Sequence, residues 1–508
     1  MNKTRSTDLF SKYLNTNNVV WFAVVLLLLL GMGIRLYDLT DLPLDFAPTR
    51  QLFSALKARG MFYSMLPNMQ NDPTAQLAIA QWKGTQVIEP TIIEGVTAVT
   101  YLAFGEHLWI GRLYSILFWV LGGIPLYLLA KKLGGWQGGL VGLSVYLFLP
   151  YGVEASRAIQ PDPLMVSLVV FGIWASHAWI TTKEWKWAIA AGILNGCAML
   201  VKNVAVFPLL FALVPMLFHN GISFHIQDRK TWAVAVLSAL PTLAYTLYGV
   251  FSAGFLGQQF AFRFFPNLWF DPVFYLRWKN QVDGVIGLSL ATISFASLWL
   301  AKGADRKLLA GLWAGYLAYG FTFAYHITSH DYYQLPLIPI VALSLAPLAF
   351  AMSTGITQAG WSKPAHAAIL AIFGFALAIA LWTVRVDLAR DDYRPEVAKW
   401  QQIGAVIGKP AHVLTVSEDY GYRLAYWGMQ DVEAWLEDAD LNLRELDGRK
   451  VDLMQKFQEK IAGKDFIVIT QPAKLDNQPE IRKYIEQTYP IFAQGDGYLI
   501  YDARMQNK

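Results

Sequence analysis

The sequence predicts a polytopic α-helical membrane protein of about 11 transmembrane helices with a small C-terminal extracytoplasmic α/β domain. Three observations predict it. The 508 residues are 55% hydrophobic and 15% charged, whereas a soluble domain carries about 25% charge, and the mean hydropathy is +0.35. Apolar segments of membrane-crossing length recur from Val19 to near Trp382. The loops between them alternate: one set is short and basic, the other long and rich in acidic, His and Pro clusters.

The first span follows a basic stretch. Met1 to Tyr13 carries Lys3, Arg5 and Lys12, and VVWFAVVLLLLLGMGI then runs from Val19 to Ile34. A signal peptide shares that layout, but this core is longer and ends in Arg35-Leu36-Tyr37 without a small-x-small cleavage site. It reads as an uncleaved first helix. A helix needs about 20 apolar residues to cross the hydrocarbon core. Spans are therefore expected near 19–36, 108–130, 136–152, 163–181, 186–202, 203–218, 231–252, 284–301, 307–326, 335–353 and 364–384. The division around Lys202 is the weakest of these. With a cytoplasmic N-terminus, the inside loops carry Lys131-Lys132, Lys183 and Lys186, Arg229-Lys230, and Lys302, Arg306 and Lys307, which is the positive-inside bias.

The outside loops hold the polar chemistry. The first, 37–107, includes amphipathic helical stretches; the others are Tyr151 to Asp162, Ser252 to Asp283 with its aromatics and prolines, and His326 to Gln334. From residue 390 to 508 hydropathy drops, and HVLTV (His412 to Val416), FIVIT (Phe466 to Thr470) and YLIYD (Tyr498 to Asp502) alternate with helical patterns around Glu396–Ile407 and Val451–Ile461. That alternation predicts a small α/β domain. The expected organisation is a transmembrane domain over 1–389 and a soluble domain over 390–508. It belongs to a multi-pass protein of the inner or plasma membrane, with its C-terminus outside.

Several classes are excluded or disfavoured. A net charge of +4 is too small to point to nucleic acid. The single cysteine, Cys197, cannot form an internal disulfide. No GxGxxG or GxxxxGK[ST] follows a strand, so nothing marks a nucleotide site.

Each outside loop offers candidates, each with a bland alternative. Asp45 lies in DLTDLPLDFAPTRQ between Pro43 and Pro48, with Arg50 behind it. Prolines stiffen the loop, and a carboxylate held against the membrane surface can serve as a base; the alternative is a solvated loop carboxylate or a helix cap. Asp162 sits between two prolines in EASRAIQPDPLM, where an N-cap competes with a catalytic role, and Arg157 shares its loop. His330, Asp331, Tyr332 and Tyr333 form a polar knot before an apolar span. Interfacial tyrosines are ordinary, but His330 can bind phosphate, ligate a metal or donate a proton. Arg263 and Arg277 lie outside, where the positive-inside rule does not explain them, and a guanidinium fits phosphate; ordinary headgroup binding is the alternative. Glu89 and Glu94 flank an amphipathic stretch that can approach the same chamber, whereas Glu106 and His107 read as a helix start.

Taken in order, LPLDFAPTRQLFSALKARG (Leu42 to Gly60), EPTIIEGVTAVTYLAFGEHLWIGRLYSILF (Glu89 to Phe118), RAIQPDPLM (Arg157 to Met165) and HDYYQLPLIP (His330 to Pro339) resemble the GT-C superfamily of integral-membrane glycosyltransferases. The resemblance is to the family 39, protein-mannosyltransferase-like branch, and covers about the first 350 residues. It implies a GT-C-like fold and a polyprenyl-phosphate sugar donor used on the extracytoplasmic face. The transferred group is a hexosyl or pentosyl unit, and the acceptor is a hydroxyl of a glycan, lipid or protein. Asp45 takes the place of the family's catalytic base, with inversion at the anomeric carbon. Asp162 matches its second-loop acid, and Arg157, His330 and Arg263 take the donor phosphate. Arg50, Glu89, Glu94, Asp331, Tyr332 and Tyr333 are the implied substrate contacts. Many relatives carry paired acids in the first loop, but Asp45 is followed by Phe46. That departure removes the paired motif for a divalent metal, and no cofactor is expected.

Two other classes fit the helices. A transporter or flippase of lipid-linked sugars would place its ionisable groups near the bilayer midplane, where Lys202 is the main charge. A membrane scaffold would bind glycans through SEDYGYRLAYWG (Ser417 to Gly428), a sugar-stacking surface or simply the core of a small domain.

Overall fold

The computed structural model describes residues 16–69, 71–85, 87, 89–218, 227–256, 262–361 and 363–504, and the basic stretch at Lys3, Arg5 and Lys12 lies outside them. Apolar segments form helices, some with a proline inside, and so satisfy their own backbone as lipid demands. In chain order these begin with α1 (Thr16–Leu36), and the first loop folds into α2 (Pro48–Ser64), α3 (Pro73–Gly84) and α4 (Ile92–Phe104). A continuous helical stretch, α5 (Leu108–Phe148), follows. At 41 residues it would be about 60 Å long if straight, twice the roughly 30 Å hydrocarbon core. It is not straight. Gly134 (φ −149°) and Gly135 (φ 63°) break it, and a side chain at Gly134 would run into the backbone of Ala346. Beyond the break the chain folds back. Trp119 stacks on Tyr146 at 4.7 Å between ring centroids, Trp119 Nε1 donates to the Tyr146 carbonyl at 3.3 Å, and the Tyr146 hydroxyl donates to the Trp119 carbonyl at 3.0 Å. The stretch is a helical hairpin whose bend lies just beyond Lys131-Lys132.

After the short α6 (Pro150–Ala155) come α7 (Asp162–Thr182), α8 (Trp185–Val201), α9 (Val206–Leu217), α10 (Arg229–Leu247), α11 (Pro272–Ile286), α12 (Leu288–Ala296), α13 (Gly303–Thr322), α14 (Ala324–Ser329), α15 (Leu337–Gln358) and α16 (Lys363–Leu388). Among the described residues six helices, α5 counted once, are long and apolar enough to cross a membrane, and seven if α11 and the helix after it, bent by 91°, act as one span. A helix overlies every expected segment, but α8 and α9 are only 17 and 12 residues long. The expected count of about 11 full crossings therefore exceeds what length and composition alone support. Shortening has a local cause: Lys202 (φ −156°) separates α8 from α9, and Gly287 (φ 77°) separates α11 from α12.

The tail adds α17 (Glu396–Ile407), β1 (His412–Val416), α18 (Tyr422–Trp427), β2 (Asp431–Ala434), α19 (Asp438–Leu446), α20 (Leu453–Ile461), β3 (Phe466–Ile469), α21 (Pro479–Thr488), β4 (Ile491–Gly495) and β5 (Tyr498–Asp502). The sheet order is β2-β1-β3-β5-β4, parallel across β2-β1-β3 and antiparallel across β3-β5-β4. Strand alternation splits its core in two. Val413 and Val468 face Trp400 and Ile403 of α17, while Leu414 and Ile467 face Phe457 of α20 and Ile481 of α21.

The tail is docked on the first loop. Leu52, Ala55 and Leu56 of α2 share a buried cluster with Ala425 and Tyr426 of α18. Arg59 lies 3.4 Å over the Tyr426 ring, donates to the Tyr426 carbonyl at 2.5 Å, and pairs with Glu106 at 2.7 Å. Glu106 also accepts from the Tyr426 hydroxyl at 2.5 Å, so the residue read as a helix start is a docking contact.

Candidate active site

The first loop, the α8–α9 junction, the segment before α11, the turn after α14 and the tail meet at one end of the bundle. Between them lies a cavity of about 540 Å³, lined by Arg50, Glu89, Lys202, Arg263, His326, His330, Tyr332 and Tyr333, with Tyr420 and Asp440 reaching in from the tail.

Local sequence places each group. Pro48 opens α2 with its φ already helical, which sets Arg50 in the first turn and 3.5 Å from Glu89. Burial opposes the Arg50 charge, but Glu89, Tyr332, Asp162 and Tyr333 together raise its pKa above the ordinary value, so Arg50 stays protonated. Burial likewise opposes the Glu89 charge, yet Arg50, Lys202, Lys57 and Arg263 hold its carboxyl below the usual range. Lys202 sits at the break after α8 and reaches Asp162, with Nζ 2.8 and 3.0 Å from the two carboxylate oxygens. Both side chains are buried. Asp162 opens α7 but caps no backbone N–H there, so its charge is committed to Lys202. The ammonium also lies 5.4 Å from the Tyr332 and Tyr333 ring centroids. The Arg263 guanidinium donates to the Tyr333 hydroxyl at 3.4 Å. Burial, then Arg50, Lys202 and Arg263, push His330 down to about 4; burial, then Arg263, push its stacked neighbour His326 down to about 3. Both imidazoles are neutral here.

Asp45 lies in a second cluster that does not line this cavity. Its carboxylate accepts from Arg112 Nη2 and from Gln51 Nε2 at 3.4 Å. Gln51 is itself fixed, donating to the Phe46 carbonyl at 2.5 Å and accepting from the Ile159 N–H at 3.1 Å. Arg157 belongs to this cluster: its Nη2 donates to the Asp38 carbonyl at 2.9 Å, while its buried Nε and Nη1 have no partner. Burial, then Arg112, bring it down to about 10. Glu154 is pushed up to about 7 by burial, then by Asp387 and Asp45. Asp331 binds the Tyr332 N–H at 2.7 Å. Glu94 is buried behind α2, accepting from the Ser54 hydroxyl at 2.9 Å, and burial raises its pKa. Apart from Glu94 and Asp331, the expected residues thus fall into two groups joined at α2, where Arg50 faces the cavity and its neighbour Gln51 faces Asp45.

Sequence reasoning passed over Arg112, Lys57 and the role of Lys202. Arg112 is a cation one turn into an apolar span, itself a signal, because charge at membrane depth is costly. Lys202 lines the same cavity as Arg263 and His330. Lys57 is buried with its ammonium 3.8 Å over the Phe53 ring, and burial pulls it down to about 8 against Glu94 and Glu89. Among the described residues no group of three or more His, Cys, Asp or Glu side chains is placed to hold a metal ion.

Residues 89–248 match the family model of dolichyl-phosphate-mannose-protein mannosyltransferases. No curated protein matches the chain. Among solved structures, it is similar to ArnT from Cupriavidus metallidurans bound to undecaprenyl phosphate. They are 17% identical with a TM-score of 0.62, over 96% of this chain and 98% of that one. The oligosaccharyltransferase AglB from Archaeoglobus fulgidus, in complex with an inhibitory peptide and a dolichol-phosphate, is also similar. It is 11% identical with a TM-score of 0.52, over 89% of this chain and 69% of that one. These likenesses establish a shared fold.

Proposed function

We propose that the chain is a GT-C glycosyltransferase of the protein-mannosyltransferase-like branch, a reading supported by the family match over residues 89–248 and the shared fold, and that it moves a sugar from a polyprenyl-phosphate donor to an acceptor hydroxyl on the extracytoplasmic face. The observation that carries this reading is the cavity that gathers Arg50, Lys202 and Arg263 beside tyrosine and phenylalanine walls at one end of the bundle. Cations fit a phosphate, and the guanidinium fork fits it with two parallel bonds; the apolar helices below suit the polyprenyl chain. The solved relatives bound to undecaprenyl phosphate and dolichol-phosphate support such a ligand.

In the proposed reaction the acceptor hydroxyl attacks the anomeric carbon, the bond to the phosphate oxygen breaks, and polyprenyl phosphate leaves with both electrons. Asp45, oriented by Arg112 and Gln51, takes the hydroxyl proton, and configuration inverts. Charge grows on the leaving phosphate, where Arg50, Lys202 and Arg263 stabilise it. His330 joins them as a neutral hydrogen-bonding group, and the arriving phosphate offsets the cations that hold its pKa down. Arg157 serves from the Asp45 side, with two unpaired guanidinium nitrogens, Nε and Nη1, to offer. Asp162 keeps Lys202 in position. We place no metal or cofactor in the reaction.

The test is release of polyprenyl phosphate by purified protein in nanodiscs, supplied with a mixed set of polyprenyl-phosphate sugars. Wild type should release it, and Asp45→Asn should be slower by about a hundred- to ten-thousandfold with donor binding intact. Full activity in that variant would sink the mechanism, and sugar moved across liposomes with no bond made would favour a transporter.

A further inference from the structure

One part of the cavity lining comes from outside the transmembrane domain. Tyr420 and Asp440 reach it from the tail. Tyr420 stands in the segment leaving β1, where Asp419 and Tyr420 have φ of 51° and 54°, a left-handed conformation that side chains rarely adopt. Asp419 anchors that segment, accepting from Thr49 of α2 at 3.0 Å and from Arg423 at 2.6 Å. The Tyr420 hydroxyl donates to one Asp440 oxygen at 3.4 Å, and the other Asp440 oxygen accepts the Glu437 N–H at 3.0 Å. Ligands of open α/β sheets lie beyond the carboxyl ends of the parallel strands. Here the carboxyl end of β1, the middle strand of the parallel set, is the one that delivers Tyr420 to the cavity.

The cavity is therefore chemically graded. Its cations, Arg50, Lys202 and Arg263, all come from the first 389 residues, which also supply Glu89 and several tyrosines, whereas the tail adds a carboxylate and a phenol and no cation. Phosphate belongs with the cations. A carboxylate that accepts hydroxyl protons, beside an aromatic ring that packs on C–H faces, suits a sugar ring. We propose that Tyr420 and Asp440 are specificity-determining residues that recognise the hydroxyls of a sugar, carried either by the donor or by a glycan acceptor. The assignment rests on the transferase reading above.

The test titrates undecaprenyl phosphate, bare or carrying one of a panel of hexoses and pentoses, onto the full-length protein in nanodiscs. Wild type, Tyr420→Phe and Asp440→Asn are compared, both changes keeping the side-chain shape. Wild type should prefer one sugar-bearing lipid over the bare one. If the donor sugar is recognised, each variant should lose about tenfold of that margin while bare lipid binds as before. If the margin survives but the acceptor KM rises about tenfold with donor KM unmoved, the recognised sugar is the acceptor's. Unchanged margin and unchanged KM overturn the assignment, as does an equal loss for bare and sugar-bearing lipid, which marks a structural role. Failure of wild type to bind even the bare lipid phosphate brings down the transferase reading, and this assignment with it.

Discussion

The carboxylates at this end of the molecule differ in what faces them. Asp162 has one buried partner, Lys202. Removing one member of such a pair leaves a charge without compensation and costs about 3–5 kcal/mol. Asp162→Asn should therefore lower the unfolding midpoint sharply, and adding Lys202→Met should recover part of the loss; a double variant no more stable than the single one would contradict that. Glu154 is the opposite case, with burial, Asp387 and Asp45 raising it to about 7. A raised carboxyl contributes stability below its unfolded pKa of about 4.5 and loses it as pH rises through the folded value. Glu154→Gln should match wild type near pH 4.5, gain on it up to about pH 7 and then hold a constant margin, as thermal unfolding across pH would record. The sequence singled out Asp45 and Asp162 as candidates but not their partners. Arg112 and Lys202 lie 67 and 40 residues away from them, and no local pattern links such pairs.

At the level of elements, apolar length located the helices of the bundle, and short apolar runs between helical patterns located β1, β3 and β5 in the tail. The edge strands escaped: Asp431–Ala434 is too short and polar, and Ile491–Gly495 pairs through an irregular register. Length could not distinguish a crossing from a broken or short helix, because Gly287 and Lys202 interrupt runs whose hydropathy continues across them. The α5 hairpin supplies a direct test. Gly134→Val would drive a branched side chain into Ala346 of α15, and small-to-large changes in packed sites cost about 1–3 kcal/mol. A lower midpoint is expected for Gly134→Val, whereas Gly33→Ala, inside α1 with nothing within 4 Å, should not lower it.

Across the whole molecule, the cavity was only partly legible. Six of its lining residues, Arg50, Glu89, Arg263, His330, Tyr332 and Tyr333, were named in the outer loops, but that the tail would line it follows from docking, which depends on Arg59, Glu106 and Tyr426 meeting over more than 300 residues of intervening chain. Arg59→Ala should loosen the tail and expose its α18 face, seen as faster amide exchange over Tyr422–Trp427 with the helical bundle still protected. Unchanged exchange there would mean that the apolar contacts alone hold the tail.

That docking also has a consequence for biosynthesis. The face of α2 that carries Leu52, Leu56 and Arg59 is made early, and its partner, Tyr422–Trp427, is made more than 350 residues later. At roughly 5–20 residues per second, the first loop waits on the order of tens of seconds with an apolar, charged surface uncovered. Completion of the cavity lining by the tail is thus a late event of synthesis, and a chain cut short before α18 would leave the cavity without Tyr420 and Asp440.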